Sequence, residues 1–178
     1  MELHGDKFEC LRYGRTEEII VSTQYTSNSG NAISESYNVR DLGITMSKDG
    51  TFTQHIASIL ADAKCQCGWI FRTFPTRAET PMLTLWKSLI QSKLEYCSQL
   101  WSPLKTGDVQ ALEMVQRSFL RKISSMNQLT YWEQLKKLHL YSLERRRERY
   151  RIICVWRILE GHVPNIRHEK IHAKWHIR

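Results

Sequence analysis

The sequence predicts an α+β fold that is mainly α, with short N-terminal β strands followed by a bundle of about five helices. Two features carry this expectation. Apolar residues alternate at period two in parts of the first 47 residues, and from Ser47 onward they recur at the 3.6-residue period of a helix. The chain of 178 residues is also 42% hydrophobic and 25% charged, enough apolar content for one buried core with an appendage.

In order along the chain, residues 7–13 form an extended run closed by Gly14. Residues 18–25 read as a strand with Ile19, Val21 and Thr23 on one face, and residues 26–31 (TSNSGN) are turn chemistry throughout. Residues 39–46 are expected as one more strand, with Gly43 at a bulge or close approach. The first helix is expected over about 53–73, its stripe made by Ile56, Ile59, Leu60, Ala63, Cys67, Ile70 and Phe71. Thr80-Pro81 pairs a hydroxyl N-cap with proline at the first helical position. The helix it opens has the apolar face Leu85, Trp86, Leu89, Ile90, Leu94 and Cys97, before Pro103 and Gly107 break it.

A third helix begins near Asp108 and buries Leu112, Val115, Phe119 and Ile123. Thr130 and Glu133 form a capping box for a short fourth helix carrying Leu135 and Leu138. Ser142 caps a fifth, which ends at Gly161 with Pro164 behind it. The chain thus divides into a β-rich segment (1–47), a helical domain (48–163) and a basic His-rich tail (164–178).

Composition narrows the partners. The longest unbroken apolar run, from Ile152 to Trp156, is far short of the ~20 residues a membrane span needs, so no membrane partner is expected. The N-terminus, MELHGDKFEC, is charged where a signal peptide needs an apolar stretch. An intracellular protein of nucleus or cytoplasm, not a secreted one, is the expectation. Five cysteines in no regular framework fit reduced thiols. Cys65 and Cys67 point ~200° apart on a helix, so they cannot share one ion and read as packing residues.

The net charge of +8 is unevenly placed. Residues 1–100 carry 10 Lys/Arg against 11 Asp/Glu, and residues 101–178 carry 16 against 7. Such a basic C-terminal half favours a polyanionic partner. Its densest part, Arg145, Arg146, Arg147, Arg149 and Arg151, occupies the first turns of the last long helix, where positive charge opposes the macrodipole. Glu144 and Glu148 are placed to offset it through i,i+3 contacts with Arg147 and Arg151. With Arg117, Arg121, Lys122, Lys136 and Lys137 on neighbouring helices, these residues are the candidate phosphate-contacting set, and Tyr150 is available to stack. The other reading of the same charges is a solvated, salt-bridged face.

Several blocks, taken in order, resemble one family. Val39-Arg40-Asp41-Leu42-Gly43-Ile44-Thr45 resembles the "kDLGv" strand that follows the palm in reverse transcriptases of jockey-like non-LTR (LINE-class) retrotransposons. Lys7 to Gly14 is similar to the end of that palm, and His55-Ile56 with Cys67 to Phe74 to the helix that ends in "lgflrRtf". Leu85 to Leu89 with Leu94 to Pro103 resembles the "lykslv.p.LEYcs.vWsP" block, although Ser92-Lys93 stands where the family often has proline, which implies a straighter helix. Leu112 to Arg117, Tyr131 to Leu135 and Tyr141 to Arg147 resemble "lEkvQrr" and "syeeRL…l.SLerRR". The match runs over about residues 6 to 166.

The resemblance implies the end of a palm, a thumb and the segment beyond it. The family's polymerase activity rests on palm aspartates, including an Asp-Asp pair, because two-metal nucleotidyl transfer needs paired carboxylates on rigid strands. No Asp-Asp pair occurs in these residues, and Asp41 and Asp49 stand alone after that position. The expectation is therefore a non-catalytic thumb-like fragment that binds a template–primer type duplex. RNA or an RNA–DNA hybrid would be held through phosphate contacts of low sequence specificity, and the palm and fingers portion of the polymerase is a further expected partner. The alternative is a helical protein-interaction module, or an inert retroelement remnant.

One motif competes. His168-Glu169-Lys170-Ile171-His172 has the H-E-x-x-H spacing of zinc metalloproteases. A zinc hydrolase also needs a third protein ligand. Only six residues follow His172, Arg178 stands where a metzincin would place its third histidine, and His176 fits neither pattern. No cofactor or metal is expected.

Overall fold

The computed structural model describes residues 8–13, 24–27 and 30–163. The element order is β1 (Glu9–Cys10), β2 (Ser34–Glu35), β3 (Asn38–Asp41), β4 (Ile44–Ser47), α1 (Thr53–Thr73), α2 (Glu79–Leu85), a π-helical stretch (Trp86–Gln91), α3 (Ser92–Glu95), α4 (Thr106–Leu120), α5 (Tyr131–Lys137) and α6 (Leu143–Leu159). The run from Glu79 to Glu95 is continuous, so the described residues form five helical rods and a few short strands, as the sequence implies. The chain separates into two compact units, Met1–Ala61 and Asp62–Arg178, and the division falls within α1.

In the first unit, β1 and β2 form a short parallel pair with Glu9 beside Ser34 and Cys10 beside Glu35. An Arg12–Glu35 ion pair at 2.7 Å crosses it. Thr26 and Ala32 bridge around Gly30, whose φ of 80° turns the chain. Most of the strand expected over 18–25 lies outside the described residues.

Residues 39–46 are not one strand. They form an antiparallel hairpin, with Asn38 opposite Ser47 and Asp41 opposite Ile44. The two-residue turn is Leu42 (φ 46°) and Gly43 (φ 83°), both left-handed, as a type I′ turn requires. Glycine accepts that conformation freely, but a branched residue pays about 1–2 kcal/mol for it. Leu42 does so while 81% exposed.

His55 is buried beside this hairpin, and its Nδ1 accepts the Thr45 N–H at 3.3 Å. Only an unprotonated Nδ1 can accept. Burial first, and then the Arg40 charge, hold its pKa below the ordinary 6.5. The unfolded chain therefore takes up a proton at higher pH than the folded one. The contribution is complete above about 6.5 and is lost as pH falls below it. Thermal melts one unit above and one unit below 6.5 should show lower stability on the acid side, and His55→Gln should shrink the difference. An undiminished difference in the variant would remove His55 as its source.

In the second unit, α1 contributes Ala63, Cys67 and Ile70 to the core. Cys65 is exposed and does not pack, whereas burial pushes the Cys67 thiol up to about 11. Arg77 folds back on the end of α1: its Nη2 donates to the Phe71 carbonyl at 2.6 Å, its Nη1 donates to the Phe74 carbonyl, and its guanidinium lies 5.0 Å from the Phe71 ring centre. A cation on the last carbonyls of a helix suits the macrodipole. Phe71 and Trp86 both pack on Phe119, at 5.0 and 5.1 Å between ring centres.

The second rod departs from its sequence reading at both ends. It starts at Glu79 with Ala78 at the N-cap position and no side-chain cap, so Thr80 and Pro81 lie inside the first turn. Proline is tolerated there because the first-turn N–H groups have no intrahelical partner. The rod also ends at Glu95, two residues short of Cys97, whose φ of 49° reverses the chain. In place of a straighter helix there is a wide π turn in which Trp86, Ile90 and Gln91 are all buried. Thr84, Ser88 and Ser92 donate to carbonyls four residues back at 3.0, 2.7 and 2.7 Å, a bonding habit associated with bent helices.

The remaining rods follow their signals. Helix α4 starts at Thr106, slightly before Asp108, and Leu112, Val115 and Phe119 are buried along it, with Ile123 just beyond. The Thr130–Glu133 capping box closes in both directions. Ser142 accepts the Arg145 N–H at 3.2 Å. At the far end of α6, Gly161 (φ 74°) donates to Ile158 O and His162 donates to Arg157 O, the bond pair of a Schellman motif. Pro164, His168, His172 and His176 lie outside the described residues.

Candidate nucleic-acid interface

Six arginines stand on α6, and the fold gives the five nearest its N-terminus different tasks. The helix start is held from outside: Glu113 on α4 accepts the Glu144 N–H through Oε1 at 2.8 Å and the Tyr131 hydroxyl through Oε2. With the Ser142 cap, this satisfies two of the unpaired N–H groups and sets a carboxylate against the positive helix end. Burial and the hydrogen bond to Glu113 raise the Tyr131 phenol well above its ordinary range.

Arg146 forms an ion pair with Glu95 through Nε, and its Nη2 reaches Glu95 Oε2 at 3.0 Å. Its Nη2 also donates to the Tyr150 hydroxyl at 2.8 Å, and Tyr150 donates to Glu95 at 3.2 Å. The Glu95 hydrogen bond raises the Arg146 pKa. Arg147 is only 3% exposed. Its Nη2 donates to the Leu94 carbonyl at 3.2 Å, and its guanidinium lies 5.4 Å from the Trp101 ring centre. Burial lowers its pKa, opposed by the charges of Glu113, Glu95 and Glu144.

These positions correct the sequence reading. Arg147 is enclosed by protein and cannot reach a phosphate, because it follows Leu143 by one helical turn and faces the core with it. Arg146 is committed to Glu95, and the Tyr150 hydroxyl is committed with it. The expected Glu144–Arg147 and Glu148–Arg151 ion pairs do not close among the described residues.

Arg145, Arg149 and Arg151 remain exposed. The Arg145 guanidinium lies 5.2 Å from the Tyr141 ring centre. A groove of about 380 Å³ runs here, lined by Tyr141, Arg145, Arg149 and Ile152 among others. Tyr141 is absent from the candidates that charge alone selects, though an aromatic residue directly before the Ser142 cap is a usable signal. Glu113 and Glu95 have no local signal for this role, since their contacts to α6 span 31 and 51 residues of chain.

The other cations form a second group. Arg117 is half-buried, with its guanidinium 4.7 Å from the Tyr131 ring centre. Arg121 and Lys122 are exposed just past α4, eight and nine residues beyond Glu113, or roughly 12 Å along the helix axis. Lys136 and Lys137 are exposed at the end of α5, and Lys137 Nζ donates to Ser125 Oγ at 3.4 Å. Ser125 follows Lys122 by three residues, so this bond draws Lys137 to the loop after α4. Cations at helix C-termini also serve the macrodipole.

Among the described residues no group of three or more His, Cys, Asp or Glu is placed to hold a metal ion, and no helix is long and apolar enough to cross a membrane. No family model, curated protein or solved structure matches the chain.

Proposed function

We propose that the chain is a thumb-like module of the non-LTR retrotransposon reverse transcriptase type, which performs no chemistry of its own and binds nucleic acid of the template–primer kind. The observation that carries this reading is the exposure of Arg145, Arg149 and Arg151 on the first turns of α6. Arg145, in the first turn, sets positive charge against the helix macrodipole and so serves something other than helix stability, while Arg149 shares its face one turn on and Arg151 points to the other flank. Planar guanidinium groups suit phosphate oxygens, and the exposed Tyr141 beside Arg145 offers a face for stacking. Arg121, Lys122, Lys136 and Lys137 form a second basic edge on the same unit. Two blocks of the resemblance also meet in the fold: Leu94, Glu95 and Trp101 of one hold Arg146 and Arg147 of the other.

Fluorescence anisotropy against a short RNA–DNA hybrid, titrated over salt, tests the reading. Binding should fall steeply with salt. Replacing Arg145, Arg149 and Arg151 with Gln should lower the slope of log K against log salt by about 1 for each phosphate that is no longer neutralised. No binding by a folded chain, or binding that the triple variant leaves intact, would sink it.

One observation favours a second reading, a helical protein-interaction module. The outward face of α6 changes from charged to apolar halfway along, at Ile152.

A further inference from the structure

The core-facing side of α6 is set by Leu143 and Arg147, both buried. On the opposite side the first two turns carry Glu144, Arg145, Glu148 and Arg149, and the last two turns carry Ile152, Val155, Trp156 and Leu159. These four apolar residues follow the i, i+3, i+4, i+7 pattern that normally marks a buried stripe. Here they are 69%, 52%, 53% and 41% exposed. Scattered apolar residues on a surface need no explanation, but a continuous stripe on one helix face marks a contact.

We propose that this stripe is a self-complementary dimer contact, occupied by the α6 helix of a second copy running antiparallel. A twofold interface presents the same patch from both sides, so the patch must complement itself under reversal. Centred between Val155 and Trp156, an antiparallel pairing sets Ile152 of each copy level with Leu159 of the other and leaves Val155 and Trp156 at the axis.

Charge supports the same register. Arg149 and Glu160 lie on one flank of the stripe, about 70° and 90° from its centre, and the twofold brings like flanks together. Arg149 of one copy and Glu160 of the other then lie only about two residues, or ~3 Å, apart in level along the axis, within the reach of an arginine side chain. A parallel pairing would instead place the two Arg149 side chains on opposite flanks and bring neither to Glu160. Arg145 stands about 10 Å beyond the end of the second helix, outside this contact, whereas Arg149 is shared between the ion pair and phosphate binding. Four partly exposed apolar side chains and the flanking Arg149 and Glu160 from each copy place the interface below the stable range, at roughly 1,000 Å² in total or less. Interfaces below the standard size belong with weak, transient associations, for which a dissociation constant on the order of micromolar or weaker is expected.

Sedimentation velocity of the full chain, across roughly 1–100 µM to bracket such a constant, tests the proposal. A concentration-dependent dimer is expected. Trp156→Asp should leave it monomeric throughout, with a circular dichroism melt close to the parent's at concentrations where the parent is also monomeric, because Trp156 is half-exposed and not part of the core. R149E and E160R should each weaken dimerisation at least several-fold, and the double swap should restore it, an outcome that a role within one chain would not produce. A chain monomeric at every concentration overturns the proposal. So does a dimer that Trp156→Asp leaves intact or that the double swap fails to rescue.

Discussion

Replacing Trp101 with Ala should cost the unit Asp62–Arg178 about 4 kcal/mol, a lowering of the melting temperature on the order of 10–20 °C. Trp101 is fully buried, and its indole N–H donates to the Tyr96 carbonyl at 2.7 Å. Truncation opens a cavity the size of an indole, which alone costs about 3–5 kcal/mol. It also removes the ring face beside the Arg147 guanidinium, which burial already disfavours as a charge. Trp101→Phe should recover most of the loss, since it restores a ring and gives up only the N–H donor. Thermal and urea unfolding of both variants would measure this. An alanine variant melting within a few degrees of the parent would mean that the loop around Trp101 collapses freely and does not organise the α6 contact.

Glu95→Ala comes next, at about 2–4 kcal/mol. One carboxylate receives Arg146 at two positions, the Tyr150 hydroxyl, and the Gln91 amide at 3.2–3.3 Å. Breaking a buried pair by removing one partner strands the other charge, and the partial exposure of the Arg146 side chain (29%) trims that penalty. Removing both charges avoids the stranded one. The double variant Glu95→Met with Arg146→Met should therefore be much closer to the parent than either single variant. A double-mutant cycle in urea decides it, because additive losses would show that the two residues act separately.

Local signals in this sequence are dependable where chain neighbours decide the structure. The 3.6-residue stripe gives α1 its bounds, and Thr130, Ser142 and Gly161 cap the ends that their positions predict. The hairpin at 38–47 is hard to read because its turn carries Leu42 where Asn or Asp usually stands, which hides the left-handed pair behind a strand-like run. The candidate site divides in the same way. Its location on the first turns of α6 is legible from charge, but five neighbouring arginines have identical local chemistry. What separates them is the helix angle relative to Leu143. Four residues on, Arg147 shares its face, while Arg145 and Arg149 turn outward. That angle is readable from spacing. The reach of Glu95 and Glu113 from distant helices is not.

The two halves of α6 differ in how they are held, and this bears on motion. Its first turns are fixed by Glu113, Glu95, Leu94 and Trp101 from two other parts of the unit, while the last turns rest on their own backbone bonds and the Gly161 cap. Opening the start of the helix breaks up this whole set of charged contacts at once, whereas unwinding its end exposes little that water does not already reach. Amide protons of α6 therefore exchange with solvent on two schedules. In the monomer, those in its first half open only with the whole unit, and those beyond Ile152 open by local fraying at a small fraction of that free energy.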